Sequence, residues 1–288
     1  MSSSVSISIA TNTAIAASKA FGFFVTGSPT LFAETIHSLA DVGNQILLKV
    51  GEVRAQVGPD REHPFGRGQE RFFWALVSAV SVFFIGCGIN LYHGVHALVV
   101  REPVQPFSLL VLGLLVFALA LEAWTFSVAW REIGGRSGLR RNRHNTPVLA
   151  VLLEDGVALL GILLTLVVSG VSLLLGPVPL FDASVAIAVG LLLGGMAIFL
   201  ATVNRKLLID TTDPAVDRAA EAWLKQRGIQ ATVRSLVLGV DHSIVFVRAA
   251  REVADSYEHA GALTRHLAGE HGKKVDEVYW QFRRPGAS

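Results

Sequence analysis

A chain of 288 residues that is 51% hydrophobic and only 17% charged, with a mean hydropathy of +0.50, is too apolar for an ordinary soluble domain and predicts several membrane spans. Its net charge of +2 gives no basis for nucleic-acid binding. Its single cysteine, Cys87, excludes an intrachain disulfide and a cysteine-rich metal site.

Six apolar stretches are long enough to span a bilayer. The first, Val5 to Val25, has no basic n-region and no Arg-rich transit pattern before it, so no cleaved signal is expected. It ends at the turn residues Gly27, Ser28 and Pro29, and the second stretch follows from Thr30 to Val53. The third runs from Phe72 to Val100, after the polar loop GPDREHPFGRGQER. The fourth, Phe107 to Trp130, follows REPVQP, and the fifth, Pro147 to Leu175, follows REIGGRSGLRRNRHN. The sixth, Phe181 to Val203, follows the short turn GPVP.

Arg and Lys orient this bundle. One set of loops carries Arg54, Arg61, Arg67 and Arg71, then Arg131, Arg136, Arg140, Arg141 and Arg143, then Arg205 and Lys206, whereas the opposite loops carry only Arg101. An even number of spans places both termini on the Arg-rich, cytoplasmic side. The preference for Arg over Lys and the absence of long tails point to a bacterial inner membrane.

Past residue 208 the composition changes. DPAVDRAAEAWLKQRG reads as an amphipathic helix with Pro214 in its first turn and Gly228 beyond its end. ATVRSLVLGV and SIVFVRAAREV read as strands, SYEHAGALTRHLAGEHG as a second helix, and VDEVYWQFRR as a last strand. The expected fold is thus a polytopic α-helical membrane protein, residues 1–208 with six transmembrane helices. An α+β, ferredoxin-like αββαβ cytoplasmic domain follows over residues 209–288.

Polar residues inside the apolar stretches carry the functional information. A charged group at mid-membrane costs about 2.5–3.5 kcal/mol even on the lenient insertion scale, so it needs a reason to be there. The second stretch holds Glu34, His37, Asp41, Asn44 and Gln45, and His37 and Asp41 are four apart, on one helix face. Glu154 and Asp155 interrupt the fifth stretch and Glu122 the fourth. A His and carboxylates facing one another within a bundle suggest a divalent metal site, and its depth suggests that the metal crosses. Neutral His suits zinc, and carboxylate oxygens complete a tetrahedral set. Glu34 lies one turn nearer the outer mouth. Asn44 and Gln45 read first as interhelical hydrogen-bonding groups. Lys19, with Asn12 on the same face of the first stretch, either offsets the carboxylates or reaches toward the outer surface. His93 and His96, beside Tyr92, read as an outer interfacial anchor. Asp241, His242, His259, His266 and His271 are scattered and read as solvated.

HSLADVGNQ at 37–45 followed by PDREHPFGRGQERF at 59–72 resembles the cation diffusion facilitator zinc transporter family. YHGVH at 92–96, Glu122 and LLEDGVALLG at 152–161 resemble its branch containing zinc transporter family member 9. The resemblance covers the whole chain. It implies a homodimeric metal–proton antiporter in the lipid bilayer, without nucleic acid, whose site combines HxxxD or DxxxD on the second span with HxxxD on the fifth. His37 and Asp41 match the first motif. Asp155 matches the last carboxylate of the second, but Val151 stands where His would be, which leaves the fourth ligand to Glu154, Glu122 or water. The family's secondary loop site keeps Asp60 and His63 here, while Arg67 replaces a second His and should weaken it. One His among oxygen ligands is less zinc-selective than two, so cobalt, iron(II) and manganese stand behind zinc as substrates.

The expected cycle exchanges metal for protons. Ligands lose protons as metal binds. The metal-bound and protonated forms both neutralise the buried charge, whereas the empty ionised form crosses poorly. Glu34, Asn44, Glu122 and Lys19 are the candidates for the pathway or for proton coupling. Two other readings use the same residues. An intramembrane metal hydrolase would need an activated water, though no HExxH motif is present. A non-transporting regulatory dimer partner is permitted by the altered fifth-span motif.

Overall fold

The structure is a computed structural model that describes residues 3–26, 29–100, 109–141, 145–175, 179–239, 242–249, 253, 256–271 and 274–282. Arg101, Phe107, Arg143 and Asp241, and the side chains of Arg140, Arg141 and His271, lie outside the described residues. The chain divides into two compact units, residues 1–53 with 71–204, and residues 54–70 with 205–288.

The first unit is helical. Its elements are α1 (Ser3–Thr26), α2 (Pro29–Arg54), α3 (Glu70–Ser81), a π-helical segment Val82–Cys87, α4 (Gly88–Val100), α5 (Leu109–Ile133), the short α6 (Gly135–Arg141), α7 (Thr146–Leu175) and α8 (Pro179–Leu208). Four described helices are long and apolar enough to cross a membrane: Glu70–Val100, Leu112–Ile133, Thr146–Val168 and Ala183–Leu208. The first of these is α3, the π segment and α4 run together. α1 and α2 have the length to span, about 36 and 39 Å at 1.5 Å per residue. They are more polar, because α1 carries a Ser/Thr series and α2 carries Glu34, His37, Asp41, Lys49 and Glu52.

Hydroxyl and amide side chains within these helices bond to the carbonyl one turn back. Thr165 donates to Gly161 O at 2.9 Å, Thr202 to Ile198 O at 2.8 Å and Asn204 to Leu200 O at 2.8 Å. Such back-bonding satisfies polar groups inside their own helix where no water is at hand. The N-terminal half of α7 lies at the centre of the packing, and Val148, Leu149, Ala150, Val151 and Leu152 are all buried. They join one core with Leu48, Ala75, Ala79, Ala129, Ile133, Leu193, Met196 and Leu200. α8 approaches α4 and the π segment closely through glycine. A Cβ on Gly94 would sit 3.0 Å from Ala183 O, and one on Gly194 2.8 Å from Cys87 Sγ.

The second unit has the order α9 (Pro214–Gln226), β1 (Ala231–Val237), β2 (His242–Ala249), α10 (Ser256–His271) and β3 (Lys274–Phe282). Asp213 caps α9 by accepting from Ala215 N at 3.0 Å, Pro214 opens it, and Gly228 with φ +73° follows its end. The sheet order is β1-β2-β3, antiparallel between β1 and β2 and parallel between β2 and β3. Val216, Ala220, Trp223 and Leu224 of α9 pack with Leu263 and Leu267 of α10 on Val233, Val245, Val247 and Val275. β1 is an edge strand, and α9 with the residues just before it covers its free amides. Val233 N donates to Glu221 Oε1 at 3.1 Å, Ser235 N to Asp217 Oδ1 at 2.7 Å, and Val237 N to Thr211 O at 3.0 Å. An edge closed in this way cannot add a strand from another chain. Burial, acting against the bonds from Ser235, pushes the Asp217 carboxyl up from its usual range.

The loop 54–70 belongs to this unit. Gly68 approaches so closely that a Cβ there would collide with Leu238 O, and Gly66 holds φ +76° in the turn before it.

Candidate metal centre

The polar residues of α2 and α7 meet inside the first unit. Glu154 is buried and accepts from Asn44 Nδ2 at 3.1 Å and 3.0 Å on its two oxygens, and Gln45 Nε2 also donates to Oε2. Ser78 of α3 donates to Asn44 Oδ1 at 2.6 Å. Helices α2, α3 and α7 are thus tied by one hydrogen-bonded network at mid-helix. A carboxylate that receives three amide hydrogens is held in one orientation.

Asp155, next along α7, is only 1% exposed, and its Oδ2 has no hydrogen-bond partner among the described residues. Glu122 of α5 is buried as well. Asp41, Glu122, Glu154 and Asp155 are close enough to act on one another electrostatically, and Lys19 acts on Glu122. Like charges within reach of one another in an apolar bundle repel, and protons or cations relieve that repulsion. Lys19 Nζ donates to Ser38 Oγ at 2.9 Å, so this cation faces α2.

A small pocket lies beside the network, lined by Ala40, Asp41, Asn44, Ser81, Val82, Ile85, Gly86, Glu154 and Leu193. Three of these lining residues belong to the π-helical segment, where an extra residue per turn widens the helix. Neither the π segment nor Ser78 and Ser81 follows from the pattern of apolar residues. The small residues Gly86, Cys87 and Gly88 in mid-span are the one sequence signal of irregularity.

Glu34 and His37 fall on α2, but their side chains lie outside the described part of the structure. His37 precedes Asp41 by one helical turn, so the two positions share a helix face. Among the described residues, no group of three His, Cys, Asp or Glu side chains converges into a metal-holding set.

The loop carboxylate of Asp60 is already occupied. Its Oδ1 accepts from Glu62 N at 2.8 Å and His63 N at 2.6 Å and lies 3.2 Å from His63 Nδ1, while Arg67 Nη2 binds Oδ2 at 3.2 Å. The His63 amide, with Arg67 and the Glu62 amide, holds its pKa down from 3.8 to about 2. The folded-state pKa is depressed, so the contribution of this turn is complete above 3.8 and is lost as pH falls through about 2. The protection factors of the Glu62 and His63 amides, relative to intrinsic exchange at each pH, should therefore hold at pH 5 and drop only on strong acidification, and Asp60→Asn should lower them at pH 7. Equal exchange in variant and wild type at pH 7 would contradict this account.

Other candidates are dispersed. His96 stacks on Tyr92 with ring centroids 5.8 Å apart, while His93 is exposed. In the second unit His242 Nδ1 lies 3.1 Å from both Asp276 oxygens, whereas His259 and His266 flank Trp223.

Known proteins are similar to this chain. Residues 5–209 match the cation efflux transmembrane domain. The chain is 33% identical over 199 residues to the proton-coupled zinc antiporter SLC30A9, mitochondrial, of Xenopus laevis, an alignment that covers 66% of this chain and 35% of that protein. It is 34% identical over 198 residues to metal tolerance protein C4 of Arabidopsis thaliana, covering 66% and 43%. It is 36% identical over 93 residues to the magnetosome protein MamM of Paramagnetospirillum magneticum, covering 32% and 29%. The chain thus spans about a third of the length of the SLC30A9 relative it matches. With four apolar helices of spanning length and a family match across the whole helical unit, this multi-pass membrane protein belongs to the cation efflux family.

Proposed function

We propose that the chain is a secondary transporter that moves divalent metal cations, zinc first, out of the cytoplasm in exchange for protons. The observation that carries this reading is the buried Asp155, whose unpartnered oxygen stands among the carboxylates of Asp41, Glu122 and Glu154. A carboxylate in that setting needs a metal or a proton. The names of the relatives support the choice, one being a proton-coupled zinc antiporter and another a metal tolerance protein.

The ligands we assign are His37 and Asp41 of α2 and Asp155 of α7, with Glu154 fourth. In the resting arrangement Glu154 is held by Asn44 and Gln45, so its entry into the metal shell requires that network to open. Glu34 and Asn44 line the approach. Glu122 and Lys19 serve proton coupling. Asp60 and His63 form no second metal site in this reading, because Arg67 takes the remaining oxygen. Cobalt, iron(II) and manganese are the other substrates a mostly oxygen shell would admit.

The architecture that goes with this function has six spans, counting α1 and α2 with the four apolar helices. Residues 1–208 transport, and residues 209–288 form a ferredoxin-like cytoplasmic domain that holds a homodimer. The Arg-rich loops support cytoplasmic termini. The compositional pointer to a bacterial inner membrane draws no support from these relatives, of which one is named for the mitochondrion and another for the magnetosome. The hydrolase reading draws none either, since the family match and the relatives point to transport.

Equilibrium binding of zinc to the detergent-solubilised protein tests the ligand set. Asp155→Asn and Asp41→Asn should each weaken binding by about 100-fold or more, beyond the effect typical of a supporting residue. Affinity should also fall as pH falls, because binding displaces protons. Wild-type affinity in either variant would contradict the assignment.

A further inference from the structure

We propose that the open face of the sheet in the second unit is a binding site for a single nucleotide, its phosphates held by Arg234 and Arg248 and its base stacked on the pair Phe246 and Tyr279. None of these residues belongs to the carboxylate cluster, so the inference stands apart from the transport reading.

The strand register builds this face. Helices α9 and α10 pack on Val233, Val245, Val247 and Val275, on one side of the sheet. Side chains alternate along a strand, so Thr232 and Arg234 of β1, Phe246 and Arg248 of β2, and Tyr279 and Gln281 of β3 stand on the other side. Arg234, Phe246 and Tyr279 are paired across the strands as one row, and Thr232, Arg248 and Gln281 as the next. All six line one pocket. Phe246 is 45% exposed and Tyr279 40%, a pair of large rings left in water beside it.

The chemistry of the pocket suits an anion with an aromatic body. The rings of Phe246 and Tyr279 are stacked with centroids 5.6 Å apart and planes at 19°, a platform that a base extends. Arg248 Nε donates to Gln281 Oε1 at 3.0 Å, which fixes the guanidinium and leaves its two terminal amino groups for a ligand. Neither Arg234 nor Arg248 meets a carboxylate among the described residues. Glu277, one row further along β3, engages the Tyr279 hydroxyl instead. Two arginines without counter-ions beside an aromatic stack complement phosphate joined to a base, because the planar guanidinium forks onto phosphate oxygens.

The size of the patch selects a small ligand. Strands about 4.8 Å apart and rows about 7 Å apart give three strands and two rows a span of roughly 10 by 7 Å. On one side the patch is bounded, because Ile244 in the next row is fully buried. A second copy of the chain would need about 800 Å² of surface from each partner, well beyond this patch. One base with its phosphates matches it.

The test is equilibrium dialysis of labelled ATP against the full chain in detergent, in buffer freed of divalent metal, with adenosine and pyrophosphate as competitors. ATP should bind saturably, and adenosine and pyrophosphate should each compete about tenfold more weakly or worse, since each keeps only part of the contacts. Arg234→Gln and Arg248→Gln should each weaken ATP binding by about tenfold or more. Arg248→Lys keeps the charge but not the fork and should stay close to Arg248→Gln. Phe246→Leu should weaken ATP by about tenfold and leave pyrophosphate unchanged. Zinc binding, which uses other residues, should be unchanged in every variant and reports that the fold is intact. No ATP binding by wild type, binding that survives both arginine substitutions, or pyrophosphate as tight as ATP overturns the site. If the same substitutions turn a dimer into a monomer in size-exclusion chromatography while ATP does not bind, the face belongs to a second copy and the nucleotide assignment falls.

Discussion

Glu154→Ala should abolish metal transport and lower the stability of the helical unit together. Its carboxylate is the common acceptor for the Asn44 and Gln45 amides, and Asn44 in turn accepts from Ser78. Truncation leaves two buried amide groups with no acceptor. We expect a loss of about 1–2 kcal/mol, between the range for bonds to a charged group and the smaller values measured across membrane helices. Glu154→Gln keeps the volume but turns an amide NH2 toward two amide donors, so it should fall between Ala and wild type. Thermal unfolding in detergent, followed by tryptophan fluorescence, measures the stability, and zinc flux measures the function. A Glu154→Ala protein with wild-type stability would show that the network ties nothing together.

The contact between α4 and α8 yields the second large effect. A Cβ on Gly94 would lie 2.6 Å from Ile187 Cγ1, 3.0 Å from Ala183 O and 3.1 Å from Ile187 N. Two of these neighbours are backbone atoms, so the helices themselves must separate. Gly94→Ala should cost about 1–3 kcal/mol, as overpacking does, and Gly94→Leu should prevent assembly of the unit. Gly113→Ala is the control, because nothing lies within 4 Å of a Cβ there. It should leave stability unchanged or raise it. If Gly94→Ala matched Gly113→Ala in thermal unfolding, the close approach of α4 and α8 would be refuted.

Some of this was legible in the residues. The αββαβ order follows from alternation along the strands and from Asp213, Pro214 and Gly228 at the ends of α9, all local signals. Asn44 and Gln45 read as interhelical donors, and both bond to Glu154. Other features depend on distances between elements, which periodicity does not carry. The π segment lets Val82, Ile85 and Gly86 line the pocket, yet Val82–Cys87 reads as unbroken apolar helix. The loop 54–70 reads as a connector between spans, but Gly68 seats it against Leu238. Thr11 of α1 and Thr125 of α5 meet through a register between two helices, which the pattern along either one does not carry. Six apolar spans are expected; four described helices are long and apolar enough to cross, while α1 and α2 have the length but are more polar.

The central claim is that a pH gradient drives divalent metal across the membrane through Asp41 and Asp155. Zinc flux in proteoliposomes with an imposed pH gradient measures it most directly, with wild type compared against Asp41→Ala and Asp155→Ala. Gradient-driven flux in wild type that is lost in both variants is the predicted result. No wild-type flux with zinc, cobalt, iron(II) or manganese, or full flux in either variant, would contradict it.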